Sequence, residues 1–103
     1  MFFLFFRSRM GTIRRFRNTV GPQIRRLRSQ RGFTQERLAA KLQVTGLNLD
    51  RSTLAKIECR MRPIYDYELI MISAVLQVPM SALFPAIKSI KKMLPDLSGG
   101  VSR

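Results

Sequence analysis

The sequence predicts an all-α domain, and three observations carry that prediction. Apolar residues recur at spacings of three and four in successive stretches, as they do in helices with one buried face. Capping chemistry brackets those stretches, with Pro22, Thr34 and Asp50 at starts and Gly32 and Pro79 at ends. No stretch alternates apolar and polar residues as a half-buried strand does. With 103 residues, 46% of them apolar, the chain holds one small core and is not a wholly disordered basic tail.

The first helix is expected over residues 22–31, where Val20, Ile24 and Leu27 recur at i, i+4 and i+7, Pro22 suits a first turn and Gly32 a stop. Thr34 caps a second helix with Leu38, Ala39 and Leu42 on one face, Glu36 favouring its dipole, and an end near Leu42 or Gln43. Gly46 and Asn48 read as a turn. Asp50 then caps a third helix over 51–58, bearing Leu54 and Ile57, which Pro63 keeps from continuing. A fourth helix over 66–77 shows Leu69, Ile72, Val75 and Leu76 on one stripe and closes before Pro79. A single turn over 80–84 follows, then a short amphipathic helix over 86–94, with Ile87, Ile90, Met93 and Leu94 opposite Lys88, Lys91 and Lys92. The expected core is Leu27, Phe33, Leu38, Ala39, Leu42, Leu54, Ile57, Leu69, Ile72 and Leu76. Residues 1–19 read as a flexible basic arm, 20–85 as the folded domain, and 86–103 as a short helix and a tail frayed at Gly99-Gly100.

Charge narrows the function classes. Nineteen Lys and Arg against six Asp and Glu leave +13, which calls for an anionic partner, nucleic acid or an acidic membrane surface. The chain has nine Arg before its first carboxylate, Glu36. Its apolar opening run, residues 1–6, falls short of the ~20 residues of a spanning helix and the ~7–15 of a signal h-region, and its Arg follow rather than precede it. A cytoplasmic protein without membrane segment or secretory signal is therefore expected, with Met10 as an alternative start. Zero His and one Cys, Cys59, exclude His-based triads, Cys/His zinc clusters and an internal disulfide. Asp50 and Glu58 fall at opposite ends of the third helix, and Asp66 and Glu68 point in different directions, so no converging carboxylates offer metal-dependent hydrolysis. No enzyme activity, cofactor or metal is expected.

The run Ile24-Arg-Arg-Leu-Arg-Ser-Gln-Arg-Gly-Phe-Thr-Gln-Glu-Arg-Leu-Ala-Ala-Lys-Leu42, continued by Arg51-Ser-Thr-Leu-Ala-Lys-Ile-Glu58, resembles the Cro and phage-repressor (XRE-type) helix-turn-helix family. The later Asp66-Tyr-Glu-Leu69, Leu76-Gln-Val-Pro79 and Leu83-Phe84 extend the resemblance, which covers residues 22–84. It implies a compact five-helix lambda-repressor-like DNA-binding domain whose third helix lies in the major groove of double-stranded DNA, in a transcriptional regulator, a repressor before an activator. Two positions depart from the family wording. Gln43 stands where a Gly is usual and 45–49 reads as a five-residue insertion, a long-turn variant, while Cys59-Arg60 replaces a more usual Asn-Gly.

Carried over by position, the resemblance puts Arg51, Ser52 and Lys56 on the base-reading face. A guanidinium at Arg51 can grip guanine O6 and N7 together, worth about 1–3 kcal/mol of discrimination; a phosphate contact or a solvated Arg is the alternative. Thr53 supports the helix start or meets a base. Gln35 and Thr34, at the dipole-positive start of the second helix, are expected at a phosphate, though capping alone accounts for Thr34. Arg60 and Arg62 are expected at flanking phosphates, or as solvated loop charges. Arg28 and Glu58 are expected to form a partly buried ion pair between the first and third helices. Arg14, Arg15 and Arg17 would neutralise phosphates or enter a minor groove; with Phe2, Phe3, Phe5 and Phe6 the arm has weak membrane contact as its alternative. Cys59 is a bystander. Family members bind as homodimers on inverted repeats, and Leu83, Phe84, Ile87 and Ile90 here either make that contact or close the core. The roughly eighteen residues after Pro85 are too few for a small-molecule effector domain. The competing functions are a non-specific nucleic-acid or RNA-binding module and an antitoxin-like protein-interaction module.

Overall fold

The computed structural model describes residues 18–93, and among them finds five α-helices, one 3-10 turn and no strand: α1 (Gly21–Gln30), α2 (Gln35–Val44), α3 (Arg51–Glu58), α4 (Asp66–Leu76), the turn Met80–Leu83 and α5 (Ile87–Met93). The caps read from sequence operate. Thr34 Oγ1 accepts from the Arg37 amide at 3.0 Å and Asp50 Oδ1 from the Thr53 amide at 2.8 Å. Helix α2 runs to Val44, past its expected end, because Thr45 rather than Gln43 terminates it, its hydroxyl returning to the Leu42 carbonyl at 2.7 Å.

Four helices stop by one device, in which the amide following a left-handed residue turns back to a carbonyl five residues earlier. Phe33 does so to Arg28, Leu47 to Leu42, Met61 to Lys56 and Val78 to Ser73, at 2.9–3.1 Å. The residue between must enter left-handed space. Gly32 and Gly46 do so at φ 75° and 105°; Arg60 and Gln77 do so at 63° and 58° despite carrying a Cβ, a conformation that costs an L-residue about 1–2 kcal/mol. The Cys59-Arg60 departure is thus absorbed without changing how α3 ends.

The turn between α2 and α3 is a structural insert rather than a surface loop. Leu47 and Leu49 are 6% and 2% exposed and flank the exposed Asn48, so segment 45–49 places two leucines in the core that the helical periodicity did not predict. Around them lie the expected Leu27, Leu38, Ala39, Leu42, Leu54, Ile57, Leu69, Ile72 and Leu76, joined by Ile24. Phe33 sits at the rim, half-buried, with Lys41 Nζ 5.1 Å and the Arg37 guanidinium 5.8 Å from its ring centre. Helix α3 packs on α1 and α2, α4 on α2, and the 3-10 turn on α4 and α1. Of the two readings left open for Leu83, its full burial favours core closure; Phe84 and Ile87 remain exposed.

The folded body also begins earlier than expected. Asn18, placed in the arm by the division at residue 19, is 1% exposed and bonded on every side chain polar atom. Residues 1–17, with Arg14, Arg15 and Arg17, and residues 94–103 lie outside the described residues. No single described helix is long and apolar enough to cross a membrane, and α4 and the segment Met80–Lys92 after it meet at a bend of 102°.

Candidate nucleic-acid interface

The candidate surface is built on α3. Leu54 and Ile57 are fully buried and Glu58 nearly so, which turns Arg51, Ser52 and Lys56 outward and leaves Thr53 half-buried. Asp50 holds the first turn of α3 in shape. Its carboxyl is held below the ordinary Asp range, first by the hydrogen bond from the Thr53 amide, so it stays ionised at neutral pH. The result is a helix presenting two cations and a hydroxyl from one side, with its N-terminal amide ends capped from within.

Beneath that row the helix is pinned by Glu58. The Arg28 guanidinium meets it in a fork, Nε to Oε2 at 2.7 Å and Nη2 to Oε1 at 3.1 Å, while Arg28 Nη1 donates to the Phe33 carbonyl at 2.7 Å. The side chains are 13% and 1% exposed, the partly buried pair expected between the first and third helices. Gln35 completes the carboxylate's coordination, its Nε2 donating to Oε1 at 2.9 Å. That contact differs from the phosphate expected for Gln35: its amide is turned inward to Glu58 and positions the start of α2 against the end of α3. Thr34 is exposed and serves as the cap, and its hydroxyl proton is still available to donate.

The two loop arginines hold structural bonds rather than standing as solvated loop charges. Arg62 grips Glu68 with both terminal nitrogens, at 3.0 and 2.8 Å, and also donates to the Pro63 carbonyl at 2.9 Å. Its guanidinium lies 5.7 Å from the Tyr65 ring centre, and the bond to Glu68 raises its pKa above the ordinary range. Glu68 is buried and accepts from the Tyr65 amide as well, so Arg62 and Glu68 form a second structural ion pair that launches α4. Arg60 folds inward, Nε donating to the Asn18 carbonyl at 2.8 Å.

Asn18 is the residue that sequence reasoning missed. Its Nδ2 donates to the Ile57 and Arg62 carbonyls at 2.8 and 2.9 Å, and its Oδ1 accepts from the Gly21 amide at 2.9 Å. One side chain thus joins the start of α1 to the end of α3. A signal was present: Asn is a capping residue, and it stands just ahead of the Gly21-Pro22 helix start. Gly21 completes the joint, since a Cβ there would run into the Ile57 carbonyl oxygen and lie 3.1 Å from that of Glu58.

Cys59 is exposed, seven residues beyond Ser52 and three beyond Lys56, and so shares their side of the helix. Among the described residues no group of three His, Cys, Asp or Glu side chains could hold a metal ion. No family model, curated protein or solved structure matches this chain.

Proposed function

We propose that the chain is a sequence-specific binder of double-stranded DNA that regulates transcription, acting as a repressor by occupying promoter DNA. In this reading it is a long-turn member of the XRE type with a lambda-repressor-like fold, α2 and α3 forming the helix-turn-helix and α3 lying in the major groove. The observation that carries it is the outward row Arg51, Ser52 and Lys56 on a short helix whose opposite side is locked into the core. A helix reads base edges only from side chains that reach the groove floor, and a rigid base beneath them fixes their register. The charge of +13 supplies the sequence-independent attraction to phosphates. The start of α2, with its exposed Thr34, is the remaining phosphate contact; Arg60 and Arg62 are left to their structural bonds, and Gln35 to Glu58.

The test is selection of binding sites from a randomised duplex pool, followed by anisotropy titration of the selected and a scrambled duplex at two salt concentrations. A consensus should emerge, and Arg51→Ala should lose about 1–3 kcal/mol of preference at one base pair with little change elsewhere. Equal binding of both duplexes with steep salt dependence would overturn base readout and leave a non-specific nucleic-acid binder.

A further inference from the structure

Three planar side chains gather where the loop after α3 enters α4. The Arg62 guanidinium lies 5.7 Å from the Tyr65 ring centre, and the Tyr65 ring lies 6.0 Å from that of Tyr67 and within 2° of parallel to it. The scaffold beneath them is fixed. Glu68 holds both terminal nitrogens of Arg62 and accepts from the Tyr65 amide, and Asp66 Oδ1 accepts from the Tyr67 amide at 2.7 Å. Both rings are nonetheless 54% exposed, and neighbouring Met61 is 64% exposed. An open groove of about 450 Å³, lined by Thr53, Lys56, Met61, Arg62 and Pro63, shares Arg62 with this platform and leads from it to α3.

We propose that this platform binds single-stranded DNA, an unpaired base stacking on the Tyr65 and Tyr67 rings while the adjoining phosphates lie along the groove toward Lys56. Three features select that occupant. Exposed parallel rings match the flat face that every base presents, and a base can stack on them only once it has left the duplex. The charge of +13 and the exposed Lys56 attract a polyanion, whereas an uncharged aromatic or proline-rich ligand gains nothing from them. Met61 and Pro63 give the groove apolar walls, which suit a deoxyribose and offer no bond to a ribose 2′-hydroxyl. Exposed Asp66, between the two tyrosines in sequence, repels phosphates and so sets the strand on the Lys56 side. The base contacts are the tyrosines and not α3, so the site does not rest on the duplex reading.

The chain has two tyrosines and no tryptophan, so its intrinsic fluorescence comes from this platform alone. The full chain is titrated with oligo-dT and with an abasic strand of the same length and charge, by anisotropy and by tyrosine quenching, at two salt concentrations. Oligo-dT should bind about tenfold tighter (~1.4 kcal/mol) and quench the tyrosines along the same saturating isotherm. Salt should weaken both strands and leave that ratio standing. Tyr67→Leu should remove most of the ratio and Tyr67→Phe should keep it, with the circular dichroism unchanged at this exposed position. Arg51→Ala should leave the ratio as it is, since Arg51 is proposed for duplex readout. Equal binding of the dT and abasic strands overturns the proposal, as does a ratio that survives Tyr67→Leu or falls with Arg51→Ala. Tighter binding of oligo-rU than of oligo-dT overturns the assignment to DNA, and quenching by a proline-rich peptide but not by oligo-dT would give the platform to a polypeptide instead.

Discussion

Removing the Glu58 carboxylate should destabilise this protein as severely as truncating a buried leucine or isoleucine of α3. Glu58→Ala strands the Arg28 guanidinium at 13% exposure, takes the acceptor from Gln35 Nε2, and unties α3 from both α1 and α2. Breaking a buried pair by deleting one member costs about 3–5 kcal/mol. At roughly 0.05–0.15 kcal/mol per residue, the described body holds about 4–11 kcal/mol in all. At about 4–8 °C per kcal/mol for a domain of this size, the melting temperature should fall by at least about 12 °C. The cause is the uncompensated charge, so the second half of the experiment removes both members. Arg28→Met/Glu58→Leu should recover about 2 kcal/mol or more relative to Glu58→Ala, because well-packed apolar replacements of buried pairs are often neutral or better. Recovery stays incomplete because the Phe33 carbonyl and Gln35 also lose partners. Urea and thermal unfolding followed by far-UV circular dichroism, in a double-mutant cycle, give both numbers. A Glu58→Ala melt within a few degrees of wild type, or a double variant less stable than either single one, would refute the reasoning.

Gly21→Ala should cost about 1–3 kcal/mol in urea unfolding, toward the upper end because the obstacles are backbone carbonyl oxygens of α3 that cannot rotate away. Lowering the pH should remove a contribution at the start of α3: the Asp50 pKa is depressed in the folded state, so its stabilisation is present above the unfolded value and lost as pH falls below about 4. Wild type should therefore lose more stability between neutral and strongly acidic solution than Asp50→Asn, which keeps a cap without a titrating group; equal losses would discount the Thr53 bond. Cys59, the chain's one thiol, should react with maleimide in the free protein and be slowed several-fold by the selected duplex. An unchanged rate would mean that the Ser52, Lys56 and Cys59 side of α3 does not face DNA.

The elements that sequence disclosed are those fixed by local rules. Helix α3 begins and ends where Asp50 and its apolar spacing require, and α1, α2 and α4 lie within one or two residues of expectation. The Arg28–Glu58 pair was legible through resemblance. What escaped depends on contacts between distant segments. Leu47 and Leu49 have no helical spacing to mark them as core, and only the closing of α2 by Gly46 aims them inward. Arg62 in a basic loop has no local sign that a carboxylate six residues on will claim both its nitrogens. Asn18 sits in a cationic stretch and becomes structural only because the end of α3, about forty residues away, supplies two carbonyls. A polar side chain is read as surface from composition, and becomes core when backbone groups elsewhere need its bonds.

The Asn18 joint also fixes an address. Whatever precedes residue 18 departs from beside the final turn of α3 and the Arg62 backbone. An affinity tag or fluorescent protein fused to the amino terminus would therefore be tethered to that point through seventeen residues, a reach of at most about 60 Å, and could crowd a duplex off the helix proposed to read DNA or, if basic, hold one on. Binding constants for this protein should accordingly be taken from untagged or carboxyl-terminally tagged material.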